Sequence, residues 1–293
     1  MNAQTLTVAR AKSVDIDLDH PGIARVYDFY LGGNRHWAID RQFGKRALAI
    51  LPRLREISIA NRLCGHRVVR HLVGLGVRQF VDIGAGLPTM GSTHQIADES
   101  TADSRVVYVD HEPVAVAHTQ LMLDERGDPD RHAVCNADLR RPDDLWDRVA
   151  DTGVIDLDQP VAVLMLAVLH VRQPGRDGMT ISTDIGAKSV RRCRELMPSG
   201  SHLAISHATD TGVPDVLAEQ LVELKDLYDN HSSPVRWRTH TEIRELFGDF
   251  EMLQPGMTWT PTWHREHTDP TRAVPEFGSP NESAVLVGVA RKP

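Results

Sequence analysis

Phe80-Val81-Asp82-Ile83-Gly84-Ala85-Gly86 is the stretch on which the fold turns. Gln79 to Ile83 is a short apolar run with the composition of a strand, and it ends in Gly84-Ala85-Gly86. Gly84 permits a tight turn at the carboxyl end of that strand, and Gly86 lets the backbone come close to a ligand with no side chain in the way. In open α/β sheets, ligands bind beyond the carboxyl ends of the strands.

Outward from this turn, strand and helix alternate. Val106 to Asp110 is a second strand, and Glu112-Pro113 opens a helix with Pro113 where a missing N–H costs nothing. Val114, Ala117 and Leu121 are expected to form the apolar face of that helix. His132 to Ala137 is a third strand, closed by Asp138. Val161 to Leu169 is unbroken and apolar, as a central strand buried on both faces must be. A helix from about Met179 to Met197, a strand over Ser201 to His207, and a helix marked by Leu217, Leu221, Leu224 and Tyr228 follow. Phe250 to Leu253 and Ala284 to Ala290 are two further strands, separated by a Pro-, Thr- and Trp-rich loop over 254–283. Two strands joined without a crossover helix are normally antiparallel. The expected architecture is therefore α/β and Rossmann-like: a mostly parallel seven-stranded sheet with an antiparallel last strand. Before Gly76 the chain is helical, with Ile57, Ala60, Cys64, Val68 and Leu72 on one helix face. The expected organisation is a loose tail over 1–19, a helical N-terminal cover over 20–76, and a Rossmann-like domain over 77–293.

Composition narrows the class. The chain has 293 residues, 41% hydrophobic and 25% charged, which suits a soluble globular protein. A net charge of −7 argues against a nucleic-acid backbone or an anionic membrane as partner. The longest apolar run is nine residues, too short to cross a bilayer. The N-terminus lacks the apolar core of a signal peptide, and three well-separated cysteines suggest no disulfide framework, so a cytoplasmic location is expected. The fifteen histidines are scattered, with no H-E-x-x-H, and no metal is expected.

Three successive strand ends define a candidate pocket: Asp82 with Gly84, Ala85 and Gly86; Asp110 with His111; and Asp138 with Leu139. A carboxylate at Asp110 can accept both hydroxyl hydrogens of a ribose, while Asp138 and the backbone of Leu139 can meet an adenine edge. A dinucleotide fingerprint needs a third glycine at the sixth position from Gly84, and that position is Thr89. S-adenosylmethionine has no phosphate and needs no such cradle. The chain also lacks the Y-x-x-x-K pair of an NAD(P)-dependent oxidoreductase.

The chain resembles the actinobacterial S-adenosylmethionine-dependent methyltransferase family long catalogued as a domain of unknown function. The resemblance lies in ARVYDFYLGGNRHWAIDR (24–41), ANR (60–62), RQFVDIGAGLPT (78–89), RVVYVDHEPV (105–114), ADLRRP (137–142), DLDQPVAVLMLAVLHV (156–171) and ISHAT (205–209). It implies a class I methyltransferase with a helical cover over the cofactor. In that frame Gly84, Gly86, Asp110 and Asp138 hold S-adenosylmethionine. Tyr27 to Asn34, including Gly33, forms a lid, and Ala167-Val168 lies beneath the adenosine. Where the family commonly has L-L-G-G-K-D-N, this chain has Tyr30-Leu31-Gly32-Gly33-Asn34-Arg35-His36, beside the expected mouth of the site.

Arg62 is a candidate partner for a carboxylate of cofactor or substrate. His170 and His207, at the ends of the fourth and fifth strands, are candidate general bases. Trp259 and Trp263 could stack on a flat substrate or clasp their loop. The fourth strand lacks the acidic-or-Asn, Pro, Pro, aromatic motif of enzymes that methylate base amino groups. A small-molecule methyl acceptor is therefore expected; the alternatives are a non-catalytic S-adenosylmethionine-binding sensor or scaffold and, behind it, an NAD(P)-dependent oxidoreductase on a related sheet. Oligomeric state is left open by the sequence.

Overall fold

The computed structural model describes residues 19–172 and 184–293. Three helices come first: α1 (Ile23–Tyr30), α2 (Ala38–Ile50) and α3 (Leu54–Gly74). All five residues expected on the apolar face of α3 are buried. The alternating part then runs β1 (Gln79–Ile83), α4 (Thr93–Asp98), β2 (Arg105–Asp110), α5 (Pro113–Arg126), β3 (His132–Asn136), α6 (Pro142–Asp151), β4 (Ala162–Leu166), α7 (Gly186–Leu196), β5 (His202–Ala208) and α8 (Asp215–His231). It closes with α9 (His240–Glu245), β6 (Glu251–Met252), β7 (Thr258–Trp259) and β8 (Val285–Arg291).

The sheet order is β3-β2-β1-β4-β5-β8-β6, with β7 also paired to β8. The first five strands are mutually parallel, and β8 runs antiparallel to β5 along its whole length. The period-2 pleat sorts the side chains between two cores. Val81, Ile83, Val107, Val109, Val163 and Met165 face α6 and α7. Phe80, Val106, Tyr108, Ala162 and Leu164 face α3, α4 and α5. A third cluster joins α1, α2 and α8 around Phe43, Tyr30 and Tyr228.

Several expectations are corrected. β4 stops at Leu166, three residues short of the expected end, because Ala167 turns the chain with φ 59°. Of the expected α5 face Val114 is buried, but Ala117 is exposed and Leu121 is 59% exposed; Ala115, Thr119, Met122 and Leu123 are buried in their place. The 254–283 loop contains β7 and two short 3₁₀ turns, Arg265–His267 and Pro280–Ser283. The helix expected from Met179 is described from Gly186, and its first residues lie outside the described range.

Gly44 sits in α2 against the Phe29 ring, where an added Cβ would stand 2.3 Å from Cδ1. Gly44→Ala gains about 1 kcal/mol of helix propensity but forces an overpacked contact costing about 1–3 kcal/mol. A net loss of about 1 kcal/mol is expected from urea unfolding. A gain in stability would show that Phe29 yields freely.

Candidate functional site

The carboxyl ends of β1, β2, β3 and β4 open into one cavity of about 550 Å³, roofed by α1 and α3. Asp82, Gly84, Ala85, Gly86, Asp110, His111, Asp138, Leu139 and Ala167 all line it, as do Tyr27 and Arg62 from the helices above. Thus residues scattered over 140 positions of sequence meet at one edge of the sheet.

Gly84 and Gly86 have φ of 71° and 65°, the left-handed region that favours glycine. A Cβ on Gly84 would stand 2.5 Å from Val168 Cγ2, so β4's outgoing loop packs onto this turn. Asp110 holds the turn in place. One carboxylate oxygen accepts from Gly86 N–H and the other from Glu112 N–H, both at 2.9 Å. The group is 8% exposed and retains acceptor capacity toward the cavity. Asp82 accepts from the Thr93 hydroxyl at 2.7 Å; burial pushes its carboxyl up, against the pull of Thr93 and Arg62. For Asp138, burial pushes the carboxyl up, but hydrogen bonds from the Arg140 guanidinium and backbone prevail and hold it below the usual range.

The roof is held by buried charge. The Arg25 guanidinium donates to Asp40 at 2.9 Å, bonds Glu112, and lies 4.0 Å from the centre of the Trp37 ring. It therefore ties α1 and α2 to the start of α5. On α3, Asn61, Arg62, Gly65, His66 and Val69 present one face to the cavity. Arg62 makes no hydrogen bond or ion pair among the described residues, and its guanidinium lies 5.8 Å from the centre of the Tyr27 ring. His66 is 5% exposed with both ring nitrogens unpartnered. Burial, with Arg62, Arg272 and Arg70 nearby, pushes its imidazole down to about 3.

Gly33 does not line the cavity. Its neighbour is the Asp28 carboxylate, whose oxygen would stand 1.9 Å from an added Cβ. Asp28 accepts from the Thr89 hydroxyl at 2.6 Å, Arg35 N–H at 2.9 Å and His36 Nδ1–H at 2.8 Å. The L-G-G turn therefore clamps the helix α1 end to the loop after Gly86; Gly33 acts by leaving room for Asp28.

The two candidate bases are also corrected. His207 is fully buried, with Nδ1–H donating to Ala208 O at 2.7 Å and Nε2 accepting from Arg238 at 2.6 Å. Arg238 occupies the lone pair that a base would need. His170 lines a second, smaller cavity rather than the first. Burial and the charge of Arg238 push its imidazole down to about 4, which makes it a weak proton acceptor at neutral pH.

Trp263 is fully buried in the core beneath α3, where Arg67 Nε donates to its carbonyl at 2.7 Å, so it clasps the loop. Trp259 packs edge-on against His240, centroids 5.4 Å apart, and lines neither cavity. The histidines are less scattered than their sequence positions suggest, since His71, His264 and His267 converge. His71 and His264 stack at 4.1 Å with an interplanar angle of 24°, so their in-plane lone pairs run side by side. Both nitrogens of His264 are engaged, by Gln254 O and Glu266. The cluster pins the 264–267 turn to the end of α3.

Asn61, His66, Asp28 and Glu112 were not singled out by sequence reasoning. The signal for the first two is the spacing 61, 62, 65, 66 and 69, a helical stripe of polar and small residues beside the apolar one.

A model of the S-adenosyl methyltransferase family matches residues 9–293. Among solved structures, a Thermobifida fusca protein provisionally assigned as a methyltransferase is 33% identical over 94% of this chain and 96% of its own, with a TM-score of 0.80. A DUF574 family protein from Streptomyces avermitilis is 32% identical over 95% of this chain and 100% of its own, also with a TM-score of 0.80. Comparison with curated proteins gives no match.

Proposed function

The chain belongs to the S-adenosyl methyltransferase family, and from that premise we propose that it methylates a small-molecule acceptor, with the donor held at the ends of β1 to β4. The cofactor supplies a methyl group already activated on a sulfonium sulfur. The single observation that carries the site assignment is the convergence of Gly86, Asp110 and Asp138 on one cavity.

The residues present fit this donor. At Gly86 an added Cβ would meet nothing closer than 3.9 Å, so the backbone is open to a close ligand. Asp110 is the ribose acceptor, and Asp138 with the Leu139 backbone faces the adenine. Arg62, with no ion pair among the described residues, takes the carboxylate of the methionine end. Tyr27 and residues 20–76 act as the cover that keeps water out, and residues 77–293 as the cofactor-binding body. A cavity of about 550 Å³ lies within the usual range for small-molecule sites of about 300–1,000 Å³. In this reading the chain supplies position and dryness rather than a strong base. Among the described residues, no helix is long and apolar enough to cross a membrane. The three cysteines are free, which fits a cytoplasmic location.

Calorimetric titration tests the reading. Saturable heat is expected with S-adenosylmethionine and S-adenosylhomocysteine and none with NAD. Heat with NAD alone would overturn it.

A further inference from the structure

Three half-buried histidines, His71, His264 and His267, meet at a place that lines neither cavity. His71 stands near the end of α3, and the other two stand in the segment between β7 and β8. One ring nitrogen of each lies within 4.8 Å of one from each of the others. His71 Nδ1 and His267 Nε2 face each other at 3.3 Å, although 196 positions separate them in the sequence.

That spacing is the spacing of metal ligands. Two nitrogens bound to a tetrahedral zinc ion at about 2.0–2.1 Å stand about 3.3–3.4 Å apart. The bond between His71 and His267 runs from N–H to N, so one ring already offers its lone pair to the point between them. The other ring does so once its proton moves, through solvent, to its second nitrogen. Burial, then His264 and His267, push the His71 imidazole down to about 4, so it is a neutral ligand at neutral pH. His264 is stacked 4.1 Å from His71 and needs only to tilt. Its nitrogens bond Gln254 O at 2.9 Å and Glu266 at 2.5 Å. The nitrogen that turns to the ion gives up its proton and its oxygen, while the other keeps an oxygen partner. Metal-ligating imidazoles are held in that way, by a carbonyl or carboxylate on the second nitrogen. The neighbouring cation Arg70 donates to His267 O and is paired with Glu99 at 2.7 Å.

We propose that His71, His264 and His267 form a zinc-binding clasp, with water in the fourth tetrahedral position. Imidazole ligands suit zinc and its transition-metal neighbours, whereas magnesium and calcium require oxygen. The ion cross-links the segment between β7 and β8 to α3. Arg272 of the same segment donates to Met90 O at 3.2 Å, and Gly91 beside it lines the large cavity. The clasp thus braces, from outside, the loop that follows Gly86. This role is independent of which molecule the cavity holds.

The test uses the full-length protein without an affinity tag, stripped with a chelator and titrated with zinc chloride at neutral pH. Calorimetric saturation at one equivalent is expected. At a hundredfold excess of free zinc over Kd, the melting temperature should rise by at least about 5 °C. Magnesium should leave it unchanged. His71→Gln, His264→Gln and His267→Gln should each weaken zinc binding at least about tenfold, with melting in metal-free buffer reporting whether each variant folds. The exposed His231 lies outside the cluster, and His231→Gln should bind as the wild type does. X-ray absorption of the zinc-loaded wild-type protein needs no variant, and three imidazole nitrogens at about 2.0–2.1 Å are expected. Zinc held equally well by the three cluster variants, fewer than three imidazoles around the ion, or an unmoved melting temperature would each sink the proposal.

Discussion

Asp110→Ala is expected to weaken S-adenosylmethionine binding by about 2–3 kcal/mol, roughly 30- to 150-fold, in calorimetric titration. Two effects combine. The ribose hydroxyls lose a charged acceptor, and such hydrogen bonds contribute about 1.5–3 kcal/mol. The Gly86 and Glu112 amides lose the carboxylate that holds the turn, so the cradle is no longer preorganised. Asp110→Asn should fall between the two proteins, because one carbonyl oxygen remains. Thermal unfolding of both variants separates a loosened turn from a lost contact. Wild-type affinity in the alanine variant would remove Asp110 from the binding site.

The second large effect is on acid stability. Burial is the first cause of depressed proton affinity in eight histidines among the described residues, mildly in His118 and His132 and strongly in six others. His66 is pushed to about 3, His71, His94, His170 and His202 to about 4, and His207 well down. In the unfolded chain each titrates near the ordinary value of about 6.5. As pH falls through that value, the unfolded state takes protons that the folded state refuses, and stability declines. The loss continues to about pH 4, where His71, His94, His170 and His202 begin to charge in the fold. His66, His94, His202 and His207 are each under a tenth exposed. At about 1–2 kcal/mol apiece by pH 5, these four alone remove about 4–8 kcal/mol, comparable to the whole stability of many domains. Asp82 and Glu112, whose carboxyls are raised by burial, act in the opposite sense: the fold takes their protons first, so stability gains as pH falls from their raised values toward the ordinary carboxylate range near about 4. The melting temperature is therefore expected to drop by at least about 10 °C between pH 7.5 and pH 5. A flat profile across that window would show that the imidazoles charge in place.

The parts legible in the sequence were those set by local rules. Strand–helix alternation located β1 to β5, and glycines or aspartates at strand ends marked Gly84, Gly86, Asp110 and Asp138 because turns and caps need those residue types. The roof was harder. Asn61 and His66 lie in a helix whose polar stripe looks like any solvent face until the sheet beneath it is in place. Gly33 is conspicuous in sequence yet acts through Asp28, five residues earlier, which spacing alone does not single out. His207 looked like a base because it ends a strand, but Arg238, 31 residues later, returns to occupy its nitrogen. Pairings across such distances depend on how loops pack, and no periodicity encodes them.

Ala167 separates the two cavities from a backbone conformation that L-residues seldom adopt. On one side stand the ends of the parallel strands; on the other stand α8, the entry to β8 and the first turns of the N-terminal helices. The two cavities are thus lined largely by different stretches of chain, which meet at Ile23, Tyr27, Asn61, Ala167 and Val171. A substitution confined to the second set leaves the lining of the larger cavity intact, whereas one in the shared wall, the backbone-strained Ala167 included, would be felt in both rooms at once.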